Sequence, residues 1–213
     1  MNKLLAFVVT LCVLAVSASA APKAAVRVAH ACPDAPAVDI LVNGSRAVSS
    51  LEFTNITDYL MIDAPASYNF TVVVAGTNQN VFSAVAAVDA RTPYTVAAIN
   101  TLSNIAPDVL EDSTKIPESD EALVRFVHFS PDAPAVDILA DNNPIFTNVS
   151  YKTATAYLSV AEGTYDVAVR VSGTNTTVLT VNDVELKNRR IYSVFAEGLV
   201  AQKTLTAVLA EDY

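Results

Sequence analysis

Along most of the chain, apolar and polar positions alternate with a period of two, and the apolar set is rich in β-branched and aromatic residues. That is the pattern of strands, whose successive side chains point to opposite faces. Val26, Val28 and His30 fall on one side, with Arg27 and Ala29 on the other. Tyr68, Phe70, Val72 and Val74 share a face against Asn69, Thr71 and Val73; further on, Tyr165, Val167, Val169 and Val171 oppose Asp166, Ala168 and Arg170. The Ala-rich stretch 83–88 reads as a strand from its Val content and its strand-like neighbours. Pro33-Asp34, Asn43-Gly44, Gly76-Thr77-Asn78 and Gly173-Thr174-Asn175 interrupt the runs as turns do. Such punctuation predicts an all-β chain with about seven strands in each of two β-sandwiches, of immunoglobulin-like or transthyretin-like type, a small barrel being the alternative.

The two-fold count comes from an internal duplication. Residues 26–41, VRVAHACPDAPAVDIL, return at 124–139 as VRFVHFSPDAPAVDIL, with twelve of sixteen positions identical and nine of them consecutive. The offset is 98, slips to 97 at Gly76/Gly173, and is 98 again at Tyr94/Tyr192. Each copy is long enough to hold a core of its own. The polar, acidic stretch EDSTKIPESDE separates them. The expected division is a leader over 1–20, a first β-sandwich over 21–114, a linker over 115–121 and a second β-sandwich over 122–213. So short a linker keeps the domains close without merging them.

The leader is read from Lys3, the apolar run from Leu4 to Val16, and the small-x-small pattern Ala18-Ser19-Ala20. The run is too short to span a bilayer, and no second candidate follows, so a secreted, extracellular protein without a transmembrane segment is expected. Cys12 leaves with the leader, and Cys32 remains as the one thiol. Either it is a buried free thiol or it bridges two chains.

Charge narrows the partners. The net charge is −9, which argues against nucleic acid and anionic lipid, both of which need clustered Lys and Arg. Tryptophan is absent, which weakens a sugar platform of stacked indole rings. An extracellular protein or glycan is the partner expected. Five sequons, at Asn43, Asn55, Asn69, Asn148 and Asn175, satisfy Asn-x-Ser/Thr and predict N-glycosylation in a secreted eukaryotic chain.

One polar constellation occurs twice: His30, Asp34 and Asp39, matched by His128, Asp132 and Asp137. Pro33 and Pro36 keep the intervening segment out of a helix. The leading reading is a rigid turn with an internal polar clasp, in which His30 faces Asp39 across neighbouring strands. The second is one divalent-metal or ligand site per repeat. Catalysis comes last: a His–Asp pair can act as a base, but neither Cys32 nor Ser130 sits in a recognisable nucleophile turn, and no phosphate-binding glycine loop is present. No catalytic residue and no cofactor are assigned. Arg27 and Arg125 also recur and read as solvated or clasping strand arginines, with Asp39 or Asp137 within reach if the strands twist. Tyr59 and Tyr157 read as core.

The motif VRVAHACPDAPAVDILVNG, with Asp58-Tyr59-Leu60 and the later Ala161-Glu162-Gly163-Thr164-Tyr165, resembles the family called domain of unknown function 4397. Both copies look like members. The resemblance implies β-sandwich modules of secreted and cell-surface proteins, often in tandem, and carries over no catalytic residue. The chain departs from the family pattern at Cys32, where Ser is usual, and at 64–68, where the Ala-Gly-x-Tyr turn is lost. The expected function is therefore a non-enzymatic extracellular glycoprotein with a structural, adhesive or matrix-associated role; the alternative is a metal- or carbohydrate-binding module with one site per repeat.

Overall fold

The computed structural model describes residues 21–212, so the expected leader lies outside the described residues. Each repeat contributes eight strands where about seven were expected. The first repeat comprises β1 (Lys23–Ala31), β2 (Val38–Val42), β3 (Ser45–Leu51), β4 (Leu60–Asp63), β5 (Ala66–Val74), β6 (Asn80–Val88), β7 (Pro93–Ile99) and β8 (Ala106–Glu111). The second comprises β9 (Glu121–His128), β10 (Val136–Ala140), β11 (Asn143–Val149), β12 (Leu158–Ala161), β13 (Gly163–Val171), β14 (Thr177–Leu186), β15 (Ile191–Glu197) and β16 (Thr206–Glu211).

Two four-stranded sheets face each other in each repeat, ordered β4-β1-β7-β8 and β3-β2-β5-β6, with β12-β9-β15-β16 and β11-β10-β13-β14 as their counterparts. β1 runs parallel to β7, Val26 beside Tyr94 and His30 beside Ala98, and β9 runs parallel to β15 in the same way. This order is not the ABED/CFG pairing of an immunoglobulin domain, which leaves the transthyretin-like alternative. The recurring motif lies where the chain leaves β1 and crosses to β2 in the facing sheet. It is the arch that joins the two layers.

The slips in offset have structural causes. Between Leu60 and Tyr68 the first repeat carries one residue more than the second does between Leu158 and Tyr165. The extra residue falls in the segment where the family turn is lost, around the cis bond Ala64–Pro65. The second repeat regains the register in β14, where the pairing steps from Tyr165↔Val184 to Val167↔Val181. That step is a β-bulge, which inserts one residue into one strand of a pair. Asp183 sits in it with φ 57, and its amide donates to Asp166 Oδ1 at 3.2 Å.

The alternation read along β1 is real, but both of its faces are covered. Val26 and Val28 pack inward with Val38, Ile40, Phe70 and Val72. Phe126, Val136, Ile138 and Val169 do the same in the second repeat. Ala29 faces the other way, into a cluster that unites Ala31, Ala97 and Ile99 of the first repeat with Val127, Phe129 and Phe195 of the second. The repeats therefore share a buried apolar layer between the sheets that carry β1 and β9. Each repeat nonetheless keeps its own two sheets and its own inner core. Eight of the nine residues of β1 are buried, because one face fills the sandwich and the other fills the seam.

Candidate functional site

The recurring motif does not gather its polar side chains at one point. His30 is fully buried, and its Nε2 lies 3.1 Å from the carbonyl oxygen of Pro36. His128 repeats this with Pro134 at 3.1 Å. The imidazole thus spans its own arch. It does not face Asp39, contrary to the expectation, because Val38 and Ile40 point into the sandwich and Asp39 between them points to the outer side of its sheet. Asp39 instead accepts from the amides of Ser50 at 2.8 Å and Gly76 at 3.1 Å, with Arg46 at 3.3 Å. It ties β2 to the end of β3 and to the turn after β5. Asp137 accepts from the Asn148 amide at 2.7 Å. Asp34 accepts from the Leu102 amide at 2.7 Å, in the loop that follows β7. Asp132 accepts from Val200 and Ala201, both at 2.9 Å, in the loop after β15.

Each of these groups holds a loop at one end of its sandwich. The amide of Ser50, and then that of Gly76, keep the Asp39 carboxyl below the usual carboxylate range; the Asn148 amide does so for Asp137. Burial works against the charge on Asp132, but the Ala201 and Val200 amides outweigh it. Burial pushes both imidazoles below their ordinary value, towards the neutral form. Among the described residues, no group of three or more His, Cys, Asp and Glu side chains is placed to hold a metal ion.

Cys32 is fully buried and free. Its Sγ donates to Asp34 Oδ1 at 3.4 Å, and burial pushes the thiol up to about 12. Ser130 makes the same bond to Asp132 at 3.3 Å. The interchain bridge entertained for Cys32 is corrected accordingly: the thiol is an arch residue, out of reach of a second chain. All five sequon asparagines, Asn43, Asn55, Asn69, Asn148 and Asn175, are exposed.

The densest polar chemistry lies in the seam, built on the recurring arginines. Arg27 is 2 % exposed and Arg125 3 % exposed, neither solvated nor paired with Asp39 or Asp137. The Nε of Arg27 donates to Thr95 of its own repeat at 2.8 Å, while its other nitrogens cross to the Glu211 carbonyl at 2.8 Å and the Asp212 carboxylate at 2.5 Å. Arg125 mirrors this with its own Ser193 at 2.7 Å, the Glu111 carbonyl at 2.8 Å and the Asp112 carboxylate. Each carboxylate is also held from its own side: Asp112 accepts from Tyr59 at 2.6 Å and Thr95 at 2.7 Å, and Asp212 from Tyr157 at 2.5 Å and Ser193 at 2.8 Å. Each guanidinium lies over the tyrosine ring of its own repeat, at 4.8 Å for Tyr59 and 4.9 Å for Tyr157. Two positive and two negative charges thus cancel in a buried cluster whose donors and acceptors are shared out as desolvation demands. Burial foremost pushes both tyrosine hydroxyls well above the usual phenol range.

One buried charge-bearing group stands apart. Glu197, at the end of β15, is 2 % exposed, and its Oε1 has no hydrogen-bond partner. Burial alone pushes it up to about 8. Gly198 follows it with φ +97, where a Cβ would meet the Thr204 carbonyl oxygen at 2.2 Å.

Comparison with known proteins gives a family first. The family model described as "Domain of unknown function (DUF4397)" matches residues 24–139 and 122–213. No curated protein matches the chain. Among solved structures, the chain is similar to CBMbc, of family CBM26, from Eubacterium rectale Amy13K in complex with maltoheptaose. The identity is 7 %, over 90 % of this chain and 97 % of that one, with a TM-score of 0.28. A candidate adhesin from Bacteroides ovatus is similar at 12 % identity, over 90 % and 96 %, with a TM-score of 0.22.

Proposed function

The chain belongs to the family described as domain of unknown function 4397, and on that footing we propose that it acts as a secreted, N-glycosylated pair of β-sandwiches with a structural, adhesive or matrix-associated role and no catalytic chemistry. The observation that carries this reading is the fate of the recurring motif. His30, Asp34 and Asp39, with His128, Asp132 and Asp137, bond to nearby backbone and tie loops together. Glycosylation at the five sequons is supported by the exposure of every acceptor asparagine. Asn43 and Asn69 are neighbours there, since Asn43 Oδ1 accepts the Asn69 amide at 2.9 Å and leaves the Asn43 Nδ2 for a sugar. The partner is an extracellular protein or glycan.

The test is thermal unfolding of the secreted protein with chelator, then with Ca²⁺, Zn²⁺ and Mg²⁺ restored. An ion bound to the native state at about 100 times its dissociation constant would raise the midpoint by several degrees. An unchanged midpoint is expected. A rise that vanishes in the His30→Ala/His128→Ala double variant would replace this reading with a metal-binding one. Enzymatic deglycosylation of the same sample should lower its mass, and an unchanged mass would remove the glycoprotein part.

A further inference from the structure

The seam between the repeats has two layers that obey different rules. The polar layer is symmetric. Arg27, Tyr59, Thr95 and Asp112 of one repeat repeat the roles of Arg125, Tyr157, Ser193 and Asp212 of the other, and each arginine crosses to the other's aspartate. Such a surface is isologous in form, because each half carries both the donor and the acceptor. The apolar layer is not symmetric. At equivalent positions Ala31 stands where Phe129 stands, and Ala97 where Phe195 stands. By strand alternation Glu197 occupies the place of Ile99, on the Phe195 face.

The two layers together select a partner. A first repeat set against another first repeat would satisfy every charge but would put alanine against alanine and leave voids. A second repeat set against another would crowd four phenylalanines and bury two unpartnered glutamates. Only a first repeat against a second fills the layer. Nothing in this selection depends on the two repeats belonging to one chain.

We propose that the seam is an exchangeable interface whose partner in trans is the second repeat of another copy of this chain, giving a reciprocal dimer in which each first repeat seats on the other chain's second repeat. The connection, residues 113–120, is exposed over most of its length. Within one chain it holds the repeats at high effective concentration, so pairing in cis prevails in dilute solution, and exchange follows when chains fold together at high concentration.

A complementation experiment on the full chain tests this. One variant carries Arg27→Asp and the other Asp212→Arg, so each has like charges opposed within its own seam. In a reciprocal dimer, the reversed charges meet each other in one seam and a native pair forms in the other. Refolded together at equal amounts, the two variants should give a 1:1 dimer of doubled mass by light scattering, with the midpoint raised above that of either variant alone. A mixture that behaves as the sum of its parts overturns the proposal, provided the cis double variant Arg27→Asp/Asp212→Arg folds as a monomer. If that control does not fold, the native chain with two different tags, refolded together at high concentration, decides the matter. Co-purification of the tags as a dimer is expected, and separate monomers overturn the proposal.

Discussion

Arg27 and Asp212 are 185 positions apart in sequence and meet at 2.5 Å in the seam, at side chains 2 % and 0 % exposed. Neither has a full complement of partners inside its own repeat. The pair, with its counterpart Arg125 and Asp112, makes the two sandwiches one polar unit as well as one apolar one.

Removing one member strands another. Asp112→Ala leaves Arg125 buried without its carboxylate, and breaking a buried pair costs about 3–5 kcal/mol. Removing both members is gentler, since buried pairs are often replaced by apolar residues at no loss. Urea unfolding should therefore show a large drop for Asp112→Ala and a smaller one for Arg27→Met with Asp212→Leu. A single-variant loss below about 1 kcal/mol, the range of exposed ion pairs, would contradict a buried cluster.

Glu197 sets an alkaline limit. Its folded value of about 8 lies above its ordinary 4.5, so the folded state binds the proton more tightly than the unfolded one. Stability from this group is full below pH 4.5 and is lost as pH rises through about 8. Glu197→Gln should match the native unfolding free energy in acid and exceed it at pH 9, by on the order of a few kcal/mol. Equal pH profiles for the two proteins would show that the carboxyl is not buried as described.

The two histidines set the acid limit, with the opposite sign. Burial holds both below 6.5, so the neutral form is favoured in the fold. Their contribution is full above 6.5 and declines as pH falls through the lowered folded values. The midpoint should fall on going from pH 7 to pH 5, and less steeply in a His30→Asn/His128→Asn variant compared with its own value at pH 7. An acid limb of the same slope in that variant would assign it to other groups.

Cys32→Ser should be nearly silent, within about 1 kcal/mol by urea unfolding, since Ser130 makes the same contact in the other repeat. Alkylating reagent should reach the native thiol only after unfolding, because the thiolate is the reactive form and burial suppresses it. Rapid labelling of the folded protein would place the thiol at the surface.

Much of this architecture is legible in the sequence. The period-two pattern marks β1 and β5 as strands, and the identities at 33–41 and 131–139 announce two copies of one fold. The turn glycines stand where the hairpins close. The arch chemistry is only half legible. Its residues stand out, but that His30 bonds Pro36 and not Asp39 follows from β1 and β2 lying in facing sheets with Asp39 on the outer side of its own, and alternation within each strand does not say which sheets face each other. The seam shows least. Two signals for it lay in the sequence: between Lys23 and His30 β1 is apolar on both faces apart from Arg27, and Glu111-Asp112 recurs as Glu211-Asp212. The second is masked by a two-residue drift in offset, because the loop between β15 and β16 is longer than the one between β7 and β8. Nor does composition foretell that Ala31 and Ala97 leave room for phenylalanines of the other repeat.

The long separation of Arg27 from Asp212 also bears on how the chain is made. At about 5–20 residues per second, ribosomal synthesis of the intervening stretch takes on the order of 10–40 seconds. The last strand of the first sandwich, β8, ends at Glu111, so for roughly the second half of that interval the first sandwich can close its own core while its seam face stands open, with the Arg27 guanidinium held only by Thr95 and Tyr59 of its own repeat. A nascent chain in this state presents an open apolar face, and Asp212, one residue past β16, brings the carboxylate that closes the polar layer over it.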